Sequence, residues 1–237
     1  MDINKLKLLV NTVQELSLAR NVETITDIVR KAARKLTGAD GATFVLKDNN
    51  MCFYVDEDAI EPLWKGQKFP MSACISGWSM INKKWAIIND IYLDDRIPIE
   101  AYRPTFVKSL AMVPIRTIDP IGAIGNYWAK KHSPSEEEMV MLQSLADITS
   151  VSIESVYAYN ELKEQNKTLY DIAFLQSHQV RVPIAQIQGL YNLFQFEDIQ
   201  HPDNPEIFRR LKLTADSFDV ITKEITQMTN KIKYYNP

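Results

Sequence analysis

All four tryptophans (Trp64, Trp78, Trp85 and Trp128) and six of the seven glycines lie before residue 130. Beyond it come long polar and aliphatic runs in which Gly189 is the one glycine. Glycine marks tight turns and close backbone approaches, and aromatic residues favour strands, whereas glycine-poor runs suit helices. The break therefore predicts a mixed α/β region followed by an all-helical one. A chain of 237 residues is long enough for one large domain or two small ones, each with a real core.

Helical spacing covers 2–19 and 22–36, and "TGADG" supplies the turn residues that end the second helix. The segments "ATFVLKD", "CFYVDE", "KWAIIND", "SLAMVPI" and "IGAIGNYWAK" are short, aromatic and β-branched, which predicts five strands. "ISGWSMINK" reads as a short helix between two of them. At 133–136, "SPSE" predicts a helix start with Ser133 as N-cap, Pro134 at the first helical position and Glu136 closing a capping box. From there helix is predicted over 134–176. A seam runs along it through Leu145, Ile148, Ser152, Ser155, Tyr159, Leu162, Asn166, Leu169 and Ala173 in alternating three- and four-residue steps, the pattern of a weak coiled coil.

Residues Ile207, Leu211, Thr214, Phe218, Ile221, Ile225, Met228 and Ile232 repeat in steps of four and three. "FEDIQHPDNP" separates that block from the preceding helix as a turn. The tail is thus a predicted helical hairpin. Two helices cannot cover their own apolar faces, so a homodimeric four-helix bundle is the economical arrangement.

A formal charge of −3 gives no electrostatic reason to expect nucleic acid. The basic run "RKAARK" at 30–35 reads as the solvated face of a helix. Cys52 and Cys74 are too few for a disulfide framework or a zinc site, and are expected to be buried small apolar residues. No stretch is apolar enough to span a membrane, and the amphipathic start lacks a signal-peptide cleavage site, which predicts a cytoplasmic protein.

The stretch "IAFLQSHQVRVPIAQIQGL", 172–190, holds His178, Arg181 and Pro183 within six residues. At about 100° per residue, Ile172, Gln176, Val180, Ile184, Ile187, Leu190, Tyr191 and Phe194 share one side, and His178 projects opposite them, toward solvent. Pro183 predicts a kink. An imidazole is largely neutral near neutral pH and can act as a nucleophile, with Arg181 near enough along a helix to assist a phosphoryl group.

"SHQVRVPIAQIQGL" resembles the H-box of the dimerisation and phosphotransfer domain of bacterial histidine kinases. Ser177, His178, Arg181 and Pro183 match that motif position by position, and Ile184 stands for its leucine. The resemblance implies His178 as phosphoacceptor, with Arg181 and Pro183 as H-box support, in a hairpin over about 165–237. Gln179 departs from the motif: the usual acid there helps remove the imidazole proton, and an amide cannot. Val182 replaces the Thr or Asn of the phosphatase version. No glycine loop for ATP occurs, and "IGAIGN" has the wrong spacing. The phosphoryl group is therefore expected from a partner kinase ATP-binding domain or a response regulator, unless the chain is a truncated sensor kinase or a dimeric scaffold with a vestigial histidine.

Residues 1–158 resemble a GAF domain, most of the likeness lying in "ISGWSMINKKWAIINDIYLDDRIPIEAYRPTFVKSLAMVPI", 75–115. This implies an α+β sensor with an antiparallel sheet and flanking helices, joined by the connecting signalling helix 134–176 to the hairpin. The residues of the cyclic-nucleotide subgroup are missing. No cofactor is evident: there is no cysteine suited to a bilin, and His132 is the sole histidine in this region to serve a haem. No metal site is expected. Within the polar loop that also holds Asp90 and Asp95, Tyr92, Asp94, Arg96 and Tyr102 are the candidate contacts for a small-molecule ligand, against the alternative of a surface turn. The tryptophans Trp78, Trp85 and Trp128 are expected in the core. An enzyme with its chemistry in the GAF pocket is a further alternative, disfavoured by the scarcity of His and Cys.

Overall fold

The computed structural model describes residues 2–175 and 179–233. The chain divides into two compact units, Met1–Tyr157 and Ala158–Pro237. The first opens with two helices. In α1 (Ile3–Leu18) the Asp2 carboxylate caps the first turn by accepting the Asn4 N–H at 2.8 Å. In α2 (Val22–Thr37) Asn21 does the same for Thr24 at 2.8 Å, and Gly38 ends the helix at φ 63°, a left-handed conformation that glycine adopts without strain.

Six strands follow: β1 (Gly41–Asp48), β2 (Met51–Ala59), β3 (Lys68–Pro70), β4 (Ala86–Ile88), β5 (Ser109–Ile115) and β6 (Gly122–Trp128). They form one sheet of order β3-β2-β1-β6-β5-β4, antiparallel at every pairing. Two short helices, α3 (Ile75–Asn82) and α4 (Ile99–Tyr102), lie in the connections around β4. The five predicted strands and the helix at 75–83 are present. The three-residue β3 and the single turn α4 carry too little periodicity to read in advance.

Strand alternation sorts β5 and β6 between two cores. Ala111, Val113, Ile115, Ile124 and Trp128 pack with α1, α2 and the first part of α5 (Glu136–Phe174). Leu110, Met112, Ala123 and Tyr127 face the opposite way, toward α3 and the loops. Every residue of β5 and β6 is buried, so these central strands are covered on both faces.

The start of α5 corrects the sequence reading. Ser135, two residues beyond the predicted Ser133, is the cap: its Oγ accepts the Glu138 N–H at 3.3 Å while the Glu138 carboxylate accepts the Ser135 N–H at 2.9 Å. Both serines have a glutamate three residues on, and packing selects the second, because Pro134 is buried and Met139 and Leu142 must enter the core. The seam of α5 also divides. Its first part buries Leu142, Leu145, Ala146, Thr149, Ile153 and Val156, whereas Tyr159, Leu162 and Leu169 of the expected seam are exposed.

In the second unit, α6 (Arg181–Leu193) and α7 (Asn204–Lys233) pack as a hairpin. Pro183 stands in the first turn of α6, where its missing N–H leaves no intrahelical bond unmade. Just before it, the Val180 N–H donates to the Leu175 carbonyl at 3.2 Å. On α7, Ile207, Leu211, Thr214, Phe218, Ile221, Ile225 and Met228 are buried or half-buried. That is the predicted stripe.

The turn of the hairpin hangs on Asn204, which is 2% exposed. Its amide nitrogen donates to the carbonyls of Gln195, Asp198 and Ile199 at 3.3, 3.0 and 3.2 Å, and its oxygen accepts the Gln195 N–H at 3.1 Å. Replacing Asn204 with alanine leaves these backbone groups unpaired. The expected cost is about 2 kcal/mol, read as a lower urea midpoint of the helical signal. Asn204→Asp, which keeps the size but loses the donors, should cost a similar amount; an unchanged midpoint in both would show that the turn does not depend on this side chain.

Candidate functional site

The second face of the first unit begins with a carboxylate. Glu57, at the end of β2, accepts the consecutive backbone N–H groups of Leu63, Trp64 and Lys65 at 2.8, 2.8 and 2.9 Å. This bends the loop so that the Trp64 indole turns inward. There it meets Tyr54, Tyr102 and Tyr127 edge-on, with ring centroids 5.7, 4.7 and 5.6 Å away. The Tyr127 hydroxyl pairs with Thr43 at 2.9 Å and the Tyr54 hydroxyl with Ser76 at 3.1 Å. Burial pushes the phenols of Tyr54, Tyr102 and Tyr127 up, so all three stay neutral.

The four sequence-predicted ligand contacts occupy different surroundings. Tyr102 belongs to the inner aromatic cluster and is 3% exposed, whereas Tyr92 is 55% exposed and its hydroxyl accepts from the Lys108 ammonium at 3.0 Å. Asp94 and Arg96 are brought together: Asp94 accepts from the Arg96 Nε and Nη2 at 2.8 and 2.6 Å, and from its backbone N–H at 3.0 Å. The guanidinium, 4.6 Å from the Trp78 ring centroid, holds the Asp94 carboxyl below its ordinary range. Asp90 is held low by Lys131 and caps the Tyr92 N–H at 3.0 Å.

Of the tryptophans expected in the core, Trp128 is fully buried. Trp78 and Trp85 are half-buried, Trp85 donating to Gln143 at 2.8 Å. His132 stacks against Trp128 with centroids 4.4 Å apart. Among the described residues no three His, Cys, Asp or Glu side chains cluster to hold a metal.

Both cysteines are buried, as expected, and line the same face as the aromatic cluster. Sequence reading missed that Cys74 is the N-cap residue of α3. The signal was legible in "ACISGW", where the cysteine stands immediately before the predicted helix.

In the second unit Arg181 opens α6 on an exposed position, and Pro183, two residues on, is buried. The predicted phosphoacceptor His178 and its neighbour Ser177 lie outside the described residues. Among the described residues no helix is long and apolar enough to cross a membrane.

A curled antiparallel sheet, with a helical layer on one face and a loop-built aromatic face on the other, defines a small sensor-type α+β domain. The sequence profile of the GAF domain matches residues 19–154, and the chain belongs to that family. GAF domains are sensor modules common in signalling proteins. The structure is similar to the GAF domain of an Acinetobacter phosphoenolpyruvate-protein phosphotransferase, at 17% identity and a TM-score of 0.59 over 68% of this chain and 99% of that one. It is also similar to a free methionine-R-sulfoxide reductase from Neisseria meningitidis, at 14% identity and a TM-score of 0.57 over 65% and 91% of the two chains. The chromophore-binding domain of a bacteriophytochrome from R. palustris matches at 14% identity and a TM-score of 0.57, over 66% of this chain and 62% of that chain. At these identities the likeness is one of fold. No curated protein matches the sequence.

Proposed function

We propose that the protein is a homodimeric signal transducer of the two-component type, in which His178 accepts a phosphoryl group and the GAF domain governs access to it. The observation that carries this reading is the α6–α7 hairpin with its half-buried stripe. Leu211, Phe218, Ile221, Ile225 and Met228 are only partly covered within one chain. A second hairpin would complete their burial as a four-helix bundle. On α6 and α7, Val182, Leu193, Leu213 and Val220 are between 55% and 64% exposed, which leaves further apolar surface for the same partner.

The surroundings of residue 178 support its chemical role. Arg181 follows on an exposed position with no partner required for folding, suited to a phosphoryl oxygen. Signal passes along α5, whose exposed Tyr159, Leu162 and Leu169 continue the seam toward the hairpin sequence. The GAF input shifts a balance between two arrangements of the dimeric helices, as any such coupling requires. The donor is an ATP-binding domain from outside these 237 residues, or a phosphorylated response regulator. A small ligand at Tyr92, Asp94, Arg96 and Tyr102 would have to compete with the Asp94–Arg96 pair and insert beside Trp64.

A second reading keeps the dimer and discards the chemistry. Gln179 favours it, since an amide cannot take the imidazole proton and phosphotransfer is slowed. One experiment separates the two. The purified chain is incubated with a phosphorylated response regulator, or with an added kinase ATP-binding domain and ATP, beside His178→Gln. Acid-labile, base-stable label on the wild type and none on the variant is the expected result. Equal labelling of both, or no label on a protein that sediments as a dimer, would leave only the scaffold. A monomer in sedimentation would remove the four-helix bundle from both readings.

A further inference from the structure

The two cysteines have no part in the proposed phosphotransfer. Both are free, and both belong to the buried cluster on the aromatic face of the sheet. Cys52 sits on β2 opposite Phe69 of the edge strand β3, and is fully buried. Cys74 follows β3 by one turn of 3₁₀ helix, Met71–Ala73, and is 8% exposed. The Cys74 sulfur lies 3.5 Å from the carbonyl of Pro70, which pairs across the β2–β3 ladder with Met51, the neighbour of Cys52, so the chain returns the second thiol to the side of the first.

Their surroundings are unequal. Cys74 is the extended N-cap residue of α3, at φ −145° and ψ 156°, so its sulfur is at the positive end of that helix. The Ser76 hydroxyl lies 3.2 Å from the Cys74 sulfur, and the Pro70 carbonyl 3.5 Å. Cys52, the Ser76 hydroxyl and the first-turn amides of Ser76 and Gly77 together draw the Cys74 thiol down to about 6, against the opposing effect of burial. The neighbouring Cys74 and burial push the Cys52 thiol up. Cys74, at the helix N-terminus and 8% exposed, is thus the more acidic thiol, and the fully buried Cys52 the less acidic one. That is the arrangement of an attacking and a resolving cysteine.

We propose that Cys74 and Cys52 form a hydroperoxide-reactive dithiol, closing to an intramolecular disulfide on the aromatic face of the GAF domain. The Cys74 thiolate attacks the terminal oxygen of the hydroperoxide, the O–O bond breaks, and the alkoxide or hydroxide leaves and takes up a proton. Cys74 is now a sulfenic acid. Cys52 attacks that sulfur, its thiol proton leaves with the departing hydroxide as water, and the S–S bond forms. Two thiols and one hydroperoxide become one disulfide, one alcohol (or water) and one water.

The test uses the full chain, hydrogen peroxide and a thiol count. Wild type should lose both of its thiols and yield a Cys52–Cys74 cross-linked peptide in non-reducing mapping of the uncrosslinked-chain mass, with dithiothreitol restoring both. Cys52→Ser should stop at the sulfenic acid, trapped by dimedone on Cys74. Cys74→Ser should oxidise at Cys52 about tenfold more slowly than wild type loses its thiols. Circular dichroism on each variant reports folding, and the wild-type peptide map stands even where a variant fails to fold. A wild type that gives only interchain disulfides or sulfinic acid, or a folded Cys74→Ser that reacts as fast as wild type, overturns the proposal. None of these outcomes depends on phosphorylation of His178, so this chemistry and the two-component reading stand or fall separately.

Discussion

Replacing Trp64 with alanine is expected to destabilise the GAF domain by about 3–5 kcal/mol. The indole is 6% exposed and is enclosed on three sides by Tyr54, Tyr102 and Tyr127, with its Nε1–H donating to the Ala101 carbonyl at 3.3 Å. Truncation leaves a large void that the neighbours cannot close. Each tyrosine is itself fixed from another direction, Tyr54 by Ser76 and Tyr127 by Thr43. Trp64→Phe fills most of the volume and loses only the indole hydrogen bond, so it should fall well short of the alanine variant. Urea unfolding followed by the fluorescence of the remaining tryptophans measures both. Equal and small losses in the two variants would mean that the loop after β2 carries no load in this core.

Two glycine-to-alanine changes should move stability in opposite directions. At Gly77, in the first turn of α3, an added Cβ would stand 1.9 Å from the Met71 carbonyl oxygen and 2.5 Å from both Met71 Cα and its carbonyl carbon. These are backbone atoms, so no rotamer change relieves the clash. The helix must lift from the 3₁₀ turn, at an expected cost of about 3 kcal/mol. Gly189 stands within α6 with nothing within 4 Å of the corresponding Cβ, and is exposed. There alanine should stabilise by about 0.5–1 kcal/mol through helix propensity alone. Thermal unfolding of the two variants against wild type gives the signs directly. A neutral Gly77→Ala would show that α3 does not rest on Met71.

Those glycines illustrate where the sequence was legible. Gly189 could be placed in a helix from the surrounding pattern, and the strands "SLAMVPI" and "IGAIGNYW" from their composition, because local periodicity reports local burial. The stripe from Ile207 to Met228 was legible for the same reason: repetition over several turns outweighs any single residue. The ligand contacts were not legible. Asp94 and Arg96 lie two residues apart, and nothing local says that they pair with each other and rest on Trp78. Tyr92 and Tyr102 look equivalent in sequence, yet one faces solvent and the other Trp64.

The sequence by itself determined the division of this protein into a mixed α/β part and a helical part, most of its elements, and its membership of the GAF family. All of these rest on patterns repeated within short windows. The tertiary structure decided which of two equivalent capping boxes starts α5, because Pro134, Met139 and Leu142 had to be buried together. It also decided that Cys52 and Cys74, twenty-two residues apart in the chain, share one buried cluster. Such choices depend on which distant atoms share a core, and no window of the sequence contains both partners.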